Sequence, residues 1–191
     1  MTHLTRHYMY NHIGNCLRRH NLLPLTGKIL GISGIKNFQG FMSVKNVCVT
    51  ETNYPEIDMQ NLPFDENIFN FVISDQVIEH LEDPRAALNE SHRVLNKGGI
   101  AIHTTCFFNY IHPYPQDFWR FTPDALRSLC KPFSQILTSE GWGNRFAILL
   151  CLISHKFRYI NIPATKSSLR YLLATYNESR YPIVTWIIAK K

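Results

Sequence analysis

Apolar side chains recur at Leu4, Tyr8, Met9, Ile13, Cys16 and Leu17, a spacing that predicts a helix over residues 4–20, ended by the run from Asn21 to Pro24. Short β-branched and aromatic runs then predict strands at 28–32, 46–50, 69–74, 100–104, 135–137 and 183–189. Helical patterns fall at 84–95, from Pro123 onward, and around 145–156. The first of these stops before Lys97-Gly98-Gly99, where glycine suits a left-handed cap, and the second starts with Thr122 at the cap and Pro123 in the first turn. The strand runs are continuously apolar rather than alternating, the pattern of a mostly parallel sheet covered by helices on both faces. No internal repeat or low-complexity segment interrupts them.

Composition bounds the class of protein. A chain of 191 residues, 45% hydrophobic and 18% charged, is long enough to bury a core and is not a disordered tail. Its net charge of +6 invites a nucleic-acid reading. The charge is segregated, however: residues 1–50 carry six bases and no acid, residues 51–95 ten acids and two bases, and residues 96–191 twelve bases and four acids. Blocks of alternating sign argue against one basic stripe and against a nucleic-acid partner. Five cysteines with no CxxC pair suggest neither a disulfide framework nor a zinc knuckle, so the expectation is no metal and a reducing, cytoplasmic setting. The start lacks the apolar core of a secretory signal, and the run from Phe146 to Ile153 is too short to span a bilayer, so no membrane span is expected.

In an open parallel sheet, ligands bind beyond the carboxyl ends of the strands, so the residues that follow each strand carry the chemistry. Here they are Gly31-Ile32-Ser33-Gly34, then Glu51, then Asp75-Gln76, then Thr104-Thr105 and an aromatic loop. Glycines admit close backbone approach, and acids at neighbouring strand ends accept hydrogen bonds from ribose hydroxyls or pair with an ammonium group.

Three ordered pieces bring a family into view: Asp58-Met59-Gln60-Asn61-Leu62-Pro63-Phe64, the stretch from Phe69 to His80, and the stretch from Glu90 to Gly99. With these the chain resembles the class I S-adenosylmethionine-dependent methyltransferases, in the small-molecule branch like methyltransferase domain 11. The resemblance implies a Rossmann-like three-layer α/β sandwich, mostly parallel with an antiparallel last strand, over residues 25–191, preceded by a helical extension over residues 1–24. It implies S-adenosyl-L-methionine as cofactor and a small-molecule or saccharide-type acceptor. Glu51 would take the ribose, Asp58 and Met59 the adenine, and Asp75 with Gln76 the methionyl side, beneath the loop Gly31, Ser33 and Gly34. That loop is degenerate, because Gly31 stands where the family has an acid and only one further glycine follows. The dozen residues from Gly34 to Lys45 are also short for a crossover helix, which is expected to be clipped or replaced by a loop.

Each of these residues has a second reading. Asp75 precedes a helical turn and suits an N-cap, Glu51 and Asp58 suit solvated chain ends, and His80 suits a packing or capping role. The loop from His112 to Phe121 resembles a substrate-side loop, with His112 or Asp117 as proton acceptor and His103, Tyr114, Trp119 and Arg120 against the acceptor. Its other reading is an Asp117–Arg120 ion pair that braces the loop. Methyl transfer is an in-line displacement in which alignment does much of the work, so a dedicated base is optional.

A nucleophile-elbow hydrolase is excluded because the glycine after Ser33 lies one place too early and no Asp and His partners fall in the expected order. A nicotinamide dehydrogenase is disfavoured because no G-x-G-x-x-G follows the first strand. The competing class is a methyltransferase-like scaffold that has lost its cofactor and binds a partner.

Overall fold

A computed structural model describes residues 3–36, 40–113 and 115–191. Its elements run α1 (Leu4–Arg19), β1 (Leu25–Ile32), β2 (Val44–Thr52), β3 (Phe69–Asp75), a 3-10 turn (Ile78–His80), α2 (Pro84–Val94), β4 (Leu95–Cys106), α3 (Pro123–Leu129), β5 (Gln135–Trp142), α4 (Arg145–Ile153), a second 3-10 turn (His155–Tyr159), α5 (Leu169–Thr175) and β6 (Val184–Lys190). The six strands form one sheet in the order β2-β1-β3-β4-β6-β5. The pairs β1/β2, β1/β3 and β3/β4 are parallel, and β6 runs antiparallel to both β4 and β5. This is the three-layer arrangement expected from the continuous apolar runs.

Those runs are continuous because consecutive residues serve opposite cores. Ile29, Phe71, Ile102 and Ile188 join α1, α4 and α5 in one cluster, whereas their neighbours Leu30, Val72, Ala101 and Ile187 join α2 and α3 in the other. The amino-terminal helix packs deeply: Leu4, Met9, Ile13 and Leu17 are fully buried in the first cluster. Its Tyr8 ring lies 6.4 Å from the rings of both Trp142 and Trp186.

Local chemistry accounts for the helix starts. Asp83 accepts from the backbone N–H of Arg85 and Ala86, each at 3.0 Å, with Pro84 in the first turn of α2, and Thr122 accepts from Ala125 in α3. Asn144 caps α4 through Ala147 at 2.8 Å, and its amide donates to the carbonyls of Leu173 and Tyr176, tying α4 to α5.

Several boundaries differ from the sequence reading. Helix α2 ends at Val94 and passes directly into β4 at Leu95, so Gly98 takes its positive φ of 78° within the strand rather than at a helix cap. Strand β5 reaches Trp142 because pairing with β6 stabilises a segment too polar to announce itself. Helix α4 stops at Ile153, and α5 had no sequence signal because it spans only seven residues. The crossover after Gly34 falls partly on residues 37–39, outside the described residues. Among the described residues no helix is long and apolar enough to cross a membrane.

Candidate functional site

The chain leaves β1 for β2 on one side and returns to β3 on the other, so strand order reverses between the carboxyl ends of β1 and β3. Both strands end in a residue held in the left-handed region: Ser33 and Gln76 each have φ of 60°. Backbone pairing holds them there. The Ser33 N–H donates to the Thr52 carbonyl at 2.8 Å, and the Gln76 N–H donates to the Thr104 carbonyl at 3.0 Å. Left-handed backbone at a non-glycine residue costs about 1 kcal/mol, which these pairings offset.

Two clefts open at this point and share Ser33. One, of about 290 Å³, is lined by Ile32, Tyr54, Asp58, Met59, Gln76 and His80 among others. The other, of about 540 Å³, is lined by Arg6, Tyr10, Gly34, Lys36, Phe41 and Asp75 among others. Gly34 has φ of 81°, and a Cβ built on it would meet nothing within 4 Å, so the loop leaves room above itself.

Asp75 is the polar centre of the second cleft. It accepts hydrogen bonds from the hydroxyls of Tyr10 and Thr104, and Arg6 Nε stands 3.9 Å from its Oδ1. Burial and the Asp75 charge push the Tyr10 phenol well above its ordinary value, so it stays a donor. Burial works against the Arg6 charge, but the fields of Asp75, Tyr10 and Glu79 outweigh it and raise its pKa. Arg6 and Tyr10 come from α1 and Thr104 from β4, so three distant segments meet at one carboxylate. Asp75 does not act as a helix cap, because the following 3-10 turn has no side-chain cap.

The other residues predicted for a cofactor divide into two groups. Met59 is buried in the first cleft, and Asp58 lines it with its carboxylate held by the Gln60 N–H at 2.8 Å and the Gln60 amide. Gln60 Oε1 in turn accepts from the Asp83 N–H at 2.7 Å, which fixes this loop to the start of α2. Gly31 is buried in β1, where a Cβ would press on Ile35 at 3.0 Å. Glu51 pairs in register with Gly31 but is exposed on the edge strand and lines neither cleft.

The motif pieces are also coupled physically. Glu90 accepts from the Leu62 N–H at 2.8 Å, and Arg93 donates to Glu90 and to the carbonyls of Leu62 and Phe64. The hydrogen bond from Arg93 holds the Glu90 carboxyl below its usual range.

The loop after β4 is cross-linked more tightly. Asp117 has a side chain 1% exposed and accepts a two-pronged contact from Arg120, together with the His112 N–H at 2.9 Å and His112 Nδ1 at 3.0 Å. The Arg120 hydrogen bond lowers its pKa to about 2. Asp117 therefore does not take up a proton at neutral pH. It braces Arg120, in the ion pair that the second reading of this loop expects, and lies against His112. Arg120 also reaches the carbonyls of Trp119 and Tyr110, and Trp119 donates through Nε1 to the Leu81 carbonyl at 2.9 Å.

His103 departs from its expected place against the acceptor. It is fully buried in β4 beside Ser74, whose hydroxyl lies 2.8 Å from Nδ1, and burial lowers its pKa to about 3. A neutral imidazole inside the sheet has no path to either cleft. The predicted contact at Tyr114 lies outside the described residues.

Sequence reasoning missed Arg6 and Tyr10, and it reached Thr104 and Glu79 by their place in the chain without their partners. Nothing local marks them, since each acquires its partner across at least 26 positions of chain. The clue was present only for Tyr10, a polar-tipped aromatic on an otherwise apolar helix face.

A family model described as a methyltransferase domain matches residues 19–103, which covers the strands β1 to β3 and most of β4. The chain is 33% identical over 82 residues to 2-methyl-6-phytyl-1,4-hydroquinone methyltransferase 1 of Oryza sativa subsp. japonica, covering 42% of this chain and 23% of that protein. It is 30% identical over 76 residues to demethylmenaquinone methyltransferase of Staphylococcus epidermidis, covering 40% of this chain and 32% of that protein. It therefore spans less than a third of the length of these curated relatives. Among solved structures, phosphoethanolamine N-methyltransferase 2 of Haemonchus contortus in complex with S-adenosyl-L-methionine shares the fold at a TM-score of 0.59 and 17% identity, over 95% of this chain and 52% of that one. The methyltransferase-domain match runs across the first four strands, and the fold over nearly the whole chain is similar to that of a methyltransferase of known structure.

Proposed function

We propose that the protein transfers a methyl group from S-adenosyl-L-methionine to a small polar acceptor, of hydroxylated or saccharide type. The observation that carries this reading is the pair of clefts joined at Ser33, placed where strand order reverses. The apolar walls Ile32, Met59 and Val77 suit an adenine, with Asp58 beside it for the exocyclic amine. Ser33 and Gly34 would let the methionyl chain pass into the second cleft. There Asp75 suits its ammonium, and Arg6 with Lys36 suits its carboxylate. Glu51 belongs to this site only if the ribose reaches the exposed edge strand.

The cofactor supplies an activated methyl group when bound, and the protein's own part is to hold the acceptor in line with it. His80, Gln116 and Phe118 border the first cleft and form its acceptor side. Asp117 is spoken for by Arg120, which leaves His112 as the member of that pair with a lone pair to offer.

A second reading, the partner-binding scaffold, draws on two observations. Tyr10 and Thr104 already satisfy Asp75, and α4 exposes Phe146, Leu149, Leu152 and Ile153. Calorimetric titration with S-adenosylhomocysteine separates the readings: methyl transfer requires saturable binding, weakened at least tenfold in Asp75→Ala. Absence of both heat and thermal shift at millimolar ligand would leave the scaffold.

A further inference from the structure

Behind the acceptor side lies a carboxylate that nothing above explains. Glu79 has 0% exposure, its Oε2 accepts from the Thr105 hydroxyl at 2.8 Å, and its Oε1 is buried with no hydrogen-bond partner among the described residues. An unsatisfied buried carboxylate oxygen is a costly feature, and a native fold keeps one when something else supplies the partner. Arg6 and Arg120 are close enough to feel its charge, yet neither donates a hydrogen bond to it.

Two imidazoles converge on the same place. One ligating atom from each of Glu79, His80 and His112 lies within 4.8 Å of the others, and the two rings meet edge to face with centroids 4.8 Å apart. In both rings Nδ1 sits against oxygens: His80 Nδ1 against the Gln116 carbonyl, and His112 Nδ1 3.1 Å from the Tyr110 carbonyl and 3.0 Å from Asp117 Oδ2. Donation from Nδ1–H to a carbonyl or carboxylate fixes the tautomer that leaves Nε2 as a lone-pair donor, as in metal-binding histidines. Asn109 Nδ2 lies 3.2 Å from His112 Nδ1, while Asn109 Oδ1 is buried without a partner. Exchanging the two amide atoms would make Asn109 a further acceptor for the same Nδ1–H.

We infer that Glu79, His80 and His112 form a binding site for one divalent first-row transition cation, bordering the cleft that His80 lines. Two nitrogens and one carboxylate oxygen suit zinc, manganese, iron or cobalt rather than calcium, and three protein ligands leave open positions. Ligands about 2.1 Å from one ion stand roughly 3–4 Å apart, so the trio closes by about 1 Å on binding. The 3-10 turn carries Glu79 and His80, and its backbone is already clamped to the facing loop, since the Glu79 carbonyl accepts from the N–H groups of Phe118 at 2.9 Å and Trp119 at 3.2 Å. Ligation uses the lone pair that His112 would otherwise offer to the acceptor, so the two roles exclude each other.

The test is titration of the chelator-treated full chain with Co²⁺, read by its visible d–d absorption and by calorimetry. One Co²⁺ per chain is expected, with affinity falling at least tenfold in His80→Ala, His112→Ala and Glu79→Gln, and unchanged in His20→Ala, which alters an exposed histidine at the end of α1. Should Glu79→Gln fail to fold in a thermal scan, the two histidine variants decide, because both side chains are partly exposed. No d–d band at millimolar Co²⁺, or a band that survives in the double histidine variant, overturns the site. Binding of S-adenosylhomocysteine is measured on the same preparation. Loss of one binding event without the other then shows whether this inference or the methyl-transfer reading has failed.

Discussion

The two walls of the central cleft are built in opposite ways. On the side of β1, β2 and β3, the polar groups are set by strand register and by turns: Ser33 and Gln76 by backbone pairing, and Asp58 by its neighbour Gln60. On the side of the loop after β4, position comes from a polar network in which Asp117 gathers Arg120 and His112, while the Glu79 carbonyl gathers Phe118 and Trp119. The first wall stays open for a ligand, with clear space above Gly34. The second is braced before any ligand arrives. An irregular loop with little regular pairing needs such bracing to hold side chains to the tolerances of an in-line transfer.

This contrast breaks most readily at its strongest link. Arg120→Ala leaves the Asp117 carboxylate buried without its cation and should destabilise the protein by about 3 kcal/mol, lowering Tm by roughly 10 °C in a calorimetric scan. A loss under 1 kcal/mol would mean that the loop is held by its aromatic packing instead.

Acid sharpens the comparison because the sheet and the loop titrate in separate windows. The unfolded chain protonates His103 below its ordinary value of 6.5, whereas the folded chain resists until about 3. Stability should therefore fall as pH drops from 6.5 toward 3, by up to ~1.4 kcal/mol per pH unit. Asp117 adds its loss only from 3.8 down to about 2, since its folded pKa is depressed. Denaturant unfolding at successive pH values measures the first slope, which His103→Gln should flatten between pH 6 and 4.

The smallest effect is expected on the open wall. Gly34→Ala strains a residue with φ of 81° but meets no neighbour, so stability should fall by about 1 kcal/mol while S-adenosylhomocysteine affinity changes less than threefold. A larger loss of affinity in the same titration would show that the ligand fills the space above the loop.

Much of this architecture was legible without coordinates. The buried runs around Ile29, Phe71 and Ile102 announced parallel strands, and Asp58 to Phe64 announced the loop that Glu90 and Arg93 clamp. Thr122-Pro123 marked the start of α3. The site was read less completely, and for a physical reason. His103 lies near the end of a strand run and looked available, but whether such a side chain faces a cleft or the sheet interior depends on which neighbours cover it. His80 had no sequence neighbour to pair with, yet it lies against His112 across a turn and a loop.

The sequence by itself determined the layered α/β fold, the resemblance to a methyltransferase domain and the strand ends where chemistry gathers, because these rest on local periodicity and short motifs. Only the tertiary structure decided the partners: that α1 delivers Arg6 and Tyr10 to Asp75, that Asp117 is paired with Arg120, and that Glu79, with one carboxylate oxygen unpartnered among the described residues, lies close to two imidazoles. Hydrogen bonds and ion pairs act over a few ångströms, and which groups come that close is set by the packing of whole elements rather than by any stretch of chain.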